Sequence, residues 1–150
     1  MSFFDKAKAA LKTAGASMGD EFARFKNKDV LDATVGACVI VAAADGKVDQ
    51  SEKAKTLGLL QNSELTKVYS MDAVVASFEA HAKRFDFDVD HGRSEALRII
   101  AAQKKNPDVA RSIVRGAIII GKADGDFDAS EKAAIGVICR ELGLNENDFL

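Results

Sequence analysis

Two stretches of the chain place apolar side chains at helical spacing: Val30, Leu31, Thr34, Val35 and Cys38 in one, and Val109, Ile113, Gly116, Ala117 and Ile120 in the other. A period near 3.6 keeps one face of a helix apolar, so both stretches predict helices. The β-branched runs CVIVA and AIIIG inside them also suit short buried strands; the length of the periodic flanks favours helix. Pro107, after Asn106, suits the first turn of the second helix. Further helices are predicted from Met71 to about Phe85, from Ser94 to about Lys105, and from just after Asp128 to near Gly143, a residue suited to a left-handed helix end. An N-terminal helix is expected from near Phe3, with Phe4, Ala7 and Leu11 on one face, meeting Gly15 and Gly19 before Phe22 and Phe25. The expected fold class is all-α, with six or seven helices.

The pattern also repeats. Residues 44–54 read ADGKVDQSEKA and residues 123–133 read ADGDFDASEKA, which agree at 8 of 11 positions at an offset of 79 residues. An aliphatic run with small residues precedes each copy, GACVIVAA and RGAIIIGK. Each repeat is therefore a helix, an Asp-Gly turn and a second helix, over about residues 29–60 and 108–142. Two such hairpins are expected to pack about a pseudo-twofold axis within a single domain spanning residues 1–150.

Composition agrees with this reading and narrows the function. The 150 residues include one Pro, no Trp and 25 Ala, which favours helix over a β-sandwich. A formal charge of −2 supplies no global basic field for nucleic acid. The longest apolar run, Val35 to Ala44, falls short of the roughly 20 residues that span a bilayer, so direct membrane insertion is not expected. The start, MSFFDKAKAALK, lacks the apolar core of a secretory signal, which points to a cytoplasmic protein. Lys6, Lys8, Lys12, Lys26 and Lys28, with Phe3, Phe4 and Leu11, could meet an anionic membrane surface, but Asp5, Asp20 and Glu21 dilute the patch and favour a solvated face.

Candidate chemistry lies in the repeated turns. Asp45, Gly46, Asp49 and Glu52, and likewise Asp124, Gly125, Asp128 and Glu131, have the spacing of the back half of a calcium loop. The front half is missing, because Val41 and Ala43, or Ile120 and Lys122, stand where carboxylates belong. The same spacing from Asp49 to Glu52 and from Asp128 to Glu131 is that of a capping box, with Gly46 and Gly125 forming the turns. Capping leaves the recurrence of Asp45 and Asp124 unexplained. If the repeats converge, six carboxylates would repel one another unless a divalent cation neutralised them, and oxygen-only ligands favour Ca²⁺ or Mg²⁺ over Zn²⁺, with Ca²⁺ the preferred occupant. A second acidic turn, Asp86, Asp88 and Asp90, reads either as a secondary acidic site resembling the front half of a calcium loop or as a helix start at Asp90 or Ser94.

Catalytic signals are weak. His81 and His91 have no nucleophile at a suggestive spacing and read as surface or cap histidines, while Cys38 and Cys139 sit among aliphatic residues and read as buried, reduced thiols. No phosphate loop and no GxSxG are present.

The paired ADG-x-[Val/Phe]-Asp-x-Ser-Glu-Lys motifs, on two helical hairpins in a chain that also begins MSFFDKAK, resemble the tellurite-resistance TerB family. The resemblance implies an all-α, non-enzymatic cytoplasmic protein with a pseudo-symmetric core and an acidic surface proposed as a metal site. It also implies a role in resistance to tellurite and related stresses, with a TerC-like integral membrane protein as partner at the inner membrane face and other stress-complex proteins beside it. Carboxylates repel the tellurite oxyanion, so the acidic residues are poor direct binders of it. The function expected is that of a cation-dependent adaptor; the alternatives are a purely structural interaction module whose acidic motifs are caps, and an enzyme acting on tellurite.

Overall fold

The computed structural model describes residues 23, 26–46, 49–123, 125 and 127–150. The N-terminal helix expected near Phe3 lies outside them. Helix α1 (Lys28–Ala42) begins where Asn27, in extended conformation, accepts the Val30 N–H at 2.9 Å. From Val30 to Val41 only Asp32 escapes full burial, so this helix is apolar around its whole circumference. A helix of that kind belongs at the centre of a bundle. The one hydroxyl it buries in that stretch, Thr34, is satisfied by the Val30 carbonyl at 2.8 Å.

Around α1 are arranged α2 (Gln50–Gln61), a single turn α3 (Leu65–Val68), α4 (Met71–Phe87), α5 (Val89–Ala101), α6 (Pro107–Ala123) and α7 (Ala129–Leu142), followed by a 3₁₀ turn at Glu146–Asp148. Helices α4, α5, α6 and α7 all pack on α1, and α6 does so most extensively. The described residues contain seven α-helices and no strand, and the fold is all-α. The runs CVIVA and AIIIG are helical: all their residues are buried except the partly exposed Ala42 and Ile119, so their side chains find contacts round most of the axis, and backbone pairing with a neighbour is not required.

Local chemistry sets most helix ends. Asn106 offers its side-chain oxygen to the Asp108 and Val109 N–H groups at the start of α6, where Pro107 needs no partner. Gly143 ends α7 with φ +70°, as the sequence suggests.

One expected boundary is corrected. Residues 86–92 do not form an acidic turn: α4 runs through Phe87 and α5 begins at Val89, leaving Asp88 alone between them. Asp88 takes an extended conformation (φ −165°, ψ 124°) and accepts the Asp90 N–H at 3.1 Å, so one residue both ends α4 and caps α5. Helix initiation falls here and not at Asp90 or Ser94. Gly92 is inside α5, and a Cβ on it would lie 2.6 Å from Cδ2 of Phe85 and 2.7 Å from its Cα. The glycine serves the close crossing of two helices, not a turn. Helix α3 has no counterpart in the sequence-based expectations; it is held by Ser63, whose hydroxyl donates to the Leu60 carbonyl at 2.6 Å and accepts the Leu65 N–H at 3.2 Å.

Candidate functional site

Each repeated motif turns the chain from one helix into the next by the same means. After α1 the Gly46 N–H donates to the Ala43 carbonyl at 2.9 Å, and after α6 the Gly125 N–H donates to the Lys122 carbonyl at 2.9 Å. Both glycines take a positive φ, +83° and +90°. Asp49 then caps α2, its Oδ1 accepting the Glu52 N–H at 2.8 Å and the Ser51 hydroxyl at 3.1 Å. Asp128 caps α7 through the Glu131 N–H at 2.8 Å and the Ser130 hydroxyl at 2.7 Å. In the second copy the capping box is closed, because the Asp128 N–H donates to Glu131 Oε1 at 3.2 Å. Hydrogen bonds from Ser130 and from the α7 backbone hold the Asp128 carboxyl below its ordinary pKa, since they stabilise its charged form.

The two motifs meet. A cleft of about 190 Å³ is lined by Asp45 and Glu52 from the first copy and by Asp128, Ser130 and Glu131 from the second, over a floor of Val41, Ala42 and Thr56. Lys55 stands in the same cleft and places one cation among four carboxylates. Phe127 anchors the second turn from below: it sits so close to Gly121 that a Cβ there would meet its ring at 2.9 Å. The Lys122 ammonium lies 6.0 Å from the centre of that ring. Asp49 is not part of the cleft wall, and Asp124 lies outside the described residues. Among the described residues no three His, Cys, Asp or Glu side chains are gathered as a metal-holding group. The carboxylates thus surround one space without closing on a point inside it.

A family model described as Tellurite resistance protein TerB matches residues 31–150, which contain both motifs and the whole cleft. The chain belongs to the TerB family. A curated TerB relative, the tellurium resistance protein TerB of Alcaligenes sp., is 36% identical over 115 residues, covering 77% of this chain and 94% of the relative. No solved structure matches the chain significantly. The TerB match leaves the first 30 residues of this chain outside it.

Other residues singled out in the sequence fall elsewhere on this TerB fold. Asp86 forms an ion pair with Lys53 at 2.9 Å that ties the end of α4 to α2, Asp88 is the cap described above, and Asp90 lies 3.9 Å from Arg93. These three carboxylates face different partners. His81 is a correction: it is not a surface or cap histidine but a core residue, 1% exposed, whose Nε2 donates to the Asp32 carbonyl at 2.8 Å. Distant packing decides this, and no local pattern signals it. Burial lowers its pKa below the usual histidine value, outweighing the stabilising carbonyl. His91 is exposed and stands edge-on to Phe87, with ring centres 5.9 Å apart. Cys38 and Cys139 are buried, and desolvation pushes their thiols up to about 12 and about 11. Lys26 and Lys28 are exposed, while Lys6, Lys8, Lys12, Phe3, Phe4 and Leu11 lie outside the described residues. No helix among the described residues is long and apolar enough to cross a membrane.

Sequence reasoning missed Lys55 in the cleft and the Lys53 to Asp86 link. Both depend on where α2 lies against distant elements, and the ADG motif carries no sign of either.

Proposed function

We propose that this protein serves in tellurite resistance as a non-enzymatic adaptor whose two acidic motifs take up a divalent cation, Ca²⁺ in preference to Mg²⁺, in the cleft between the hairpins. The observation that carries the reading is that Asp45 and Glu52 share one cleft with Asp128 and Glu131, although the two pairs come from turns 79 residues apart. Oxygen-only donors suit a hard cation, and Ca²⁺ takes 6 to 8 of them, more than either turn supplies. The carboxylates must swing inward to become ligands, with Asp124 joining from the second turn and Lys55 giving way. Such a rearranging site belongs at the weak end of calcium affinities, about 10⁻⁴ to 10⁻³ M. On this reading the hairpins are related by a pseudo-twofold axis, and binding stiffens the turns that connect them.

The adaptor acts on the cytoplasmic side of the inner membrane through a TerC-like integral membrane protein and other members of a stress-response complex. Two arguments favour partner-borne attachment: the described helices cannot span a bilayer, and the cleft is acidic and repelled by anionic lipid. A second reading has support of its own. Asp49 and Asp128 already work as caps, and a structural module would need them for nothing more.

A calcium titration followed by amide NMR separates the two. Cation binding predicts shifts at Gly46, Gly125 and the starts of α2 and α7 at submillimolar to millimolar calcium, reduced at least tenfold in apparent affinity by Asp45→Asn or Asp124→Asn. Unchanged spectra at millimolar calcium leave the capping module as the function of the motifs.

A further inference from the structure

A groove of about 480 Å³ lies between the start of α1, one face of α4 and Ile99 of α5, and no residue of the acidic motifs lines it. Along α4 its wall is Ala73, Ala76, Ser77, Ala80, His81 and Arg84, the spacing of one complete helix face. Ala76 and Ala80 on that face are exposed, Leu31 beneath them is buried and Ile99 is half-buried. A helix normally covers such a face with another element. Here the alanines leave a trough wide enough for large side chains.

We propose that the groove is the docking site of the chain's own N-terminal segment, residues 3–25. The segment is tethered where it would bind, since Lys26 and Asn27 are themselves part of the groove wall. At most about 3.6 Å per residue of chain separates the segment from the groove wall at Lys26, a reach of about 15 Å for Phe22 and less for Phe25. Four of the nine phenylalanines, Phe3, Phe4, Phe22 and Phe25, belong to this segment and bring the apolar bulk that the alanine trough lacks. Charge is mixed on both sides, with Lys26, Lys28 and Arg84 beside Asp32 in the groove wall and Asp20, Glu21 and Arg24 in the segment, so the apolar bulk and the tether carry the argument. Tethering raises the effective concentration into the millimolar range, so even a weak contact is populated. The segment precedes the part of the chain matched by the family model, which starts at residue 31. This inference does not rest on the cation reading.

The chain has no Trp, so a single indole reports on one position. Full-length proteins carrying Phe22→Trp or Phe25→Trp are measured by fluorescence, alone and combined with Ala76→Glu or Ala80→Glu, with circular dichroism to confirm helix content. Because Ala76 and Ala80 are exposed, the added carboxylates disturb the groove and not the core. Docking gives, for at least one reporter, a blue-shifted emission independent of protein concentration that moves by about 10 nm or more towards the value of free indole in a groove variant. Emission of an exposed indole from both reporters overturns the proposal. So does a blue shift that the groove variants leave in place, which puts the segment elsewhere, or one that grows with concentration, which makes a second copy the occupant.

Discussion

Asp128 and Glu131 hold each other's backbone: the Asp128 carboxylate accepts the Glu131 N–H at 2.8 Å, and the Glu131 carboxylate accepts the Asp128 N–H at 3.2 Å. Both side chains also face the acidic cleft. A cation drawing Glu131 inward would therefore compete with the capping box, which ties any occupancy of the cleft to the order of the first turn of α7.

That link separates capping from cation binding by mutation. Asp49→Ala and Asp128→Ala remove the caps and are expected to lower Tm by roughly 2 to 4 °C, the effect of about 1 kcal/mol on a chain of this size. Asp45→Asn, which leaves both caps in place, is expected to lower Tm by less than either cap variant in the absence of calcium. Thermal melts of the three variants check this; equal losses in all three would place Asp45 in the structural role as well.

Gly92 is expected to resist replacement. In an exposed helix interior Ala is favoured over Gly by about 1 kcal/mol, but here the added methyl would collide with the backbone and ring of Phe85. Gly92→Ala should destabilise by about 1–3 kcal/mol, the usual cost of overpacking, as read from urea unfolding. A more stable variant would mean that the α4–α5 crossing yields freely.

His81 makes stability depend on pH. Its folded pKa is lowered, so below the unfolded value of about 6.5 the unfolded chain binds a proton that the folded chain refuses. The unfolded state then holds more protons, and stability falls as pH drops through 6.5. Tm should decrease between pH 7.5 and 5.5, and the decrease should be smaller in His81→Gln. Identical slopes would show that other groups carry the dependence.

The cysteines are expected to be chemically silent in the native state. At pH 8 the buried thiols, raised to about 12 and about 11, are almost wholly protonated, so a disulfide reagent should modify them orders of magnitude more slowly than after denaturation. Cells carrying folded Cys38→Ala and Cys139→Ala variants should retain tellurite resistance. Rapid native labelling, or loss of resistance in a folded variant, would return the thiols to the mechanism.

The sequence by itself determined the helical class, the duplicated motif, the positive-φ roles of Gly46 and Gly125, and the caps at Asp49 and Asp128. All of these depend on neighbours within a turn or two, where hydrogen-bond geometry and helical periodicity act directly. Only the tertiary structure decided that Asp45 and Glu52 share a cleft with Asp128 and Glu131, that Lys55 stands among them, and that His81 lies in the core against Asp32. It also turned Asp86 to Lys53 and placed Gly92 against Phe85, where a turn had been expected. The reason is physical: which face of a helix is covered depends on the packing of elements far apart in the chain, and one strand of residues carries only its own periodicity, not the identity of the surface that will lie against it.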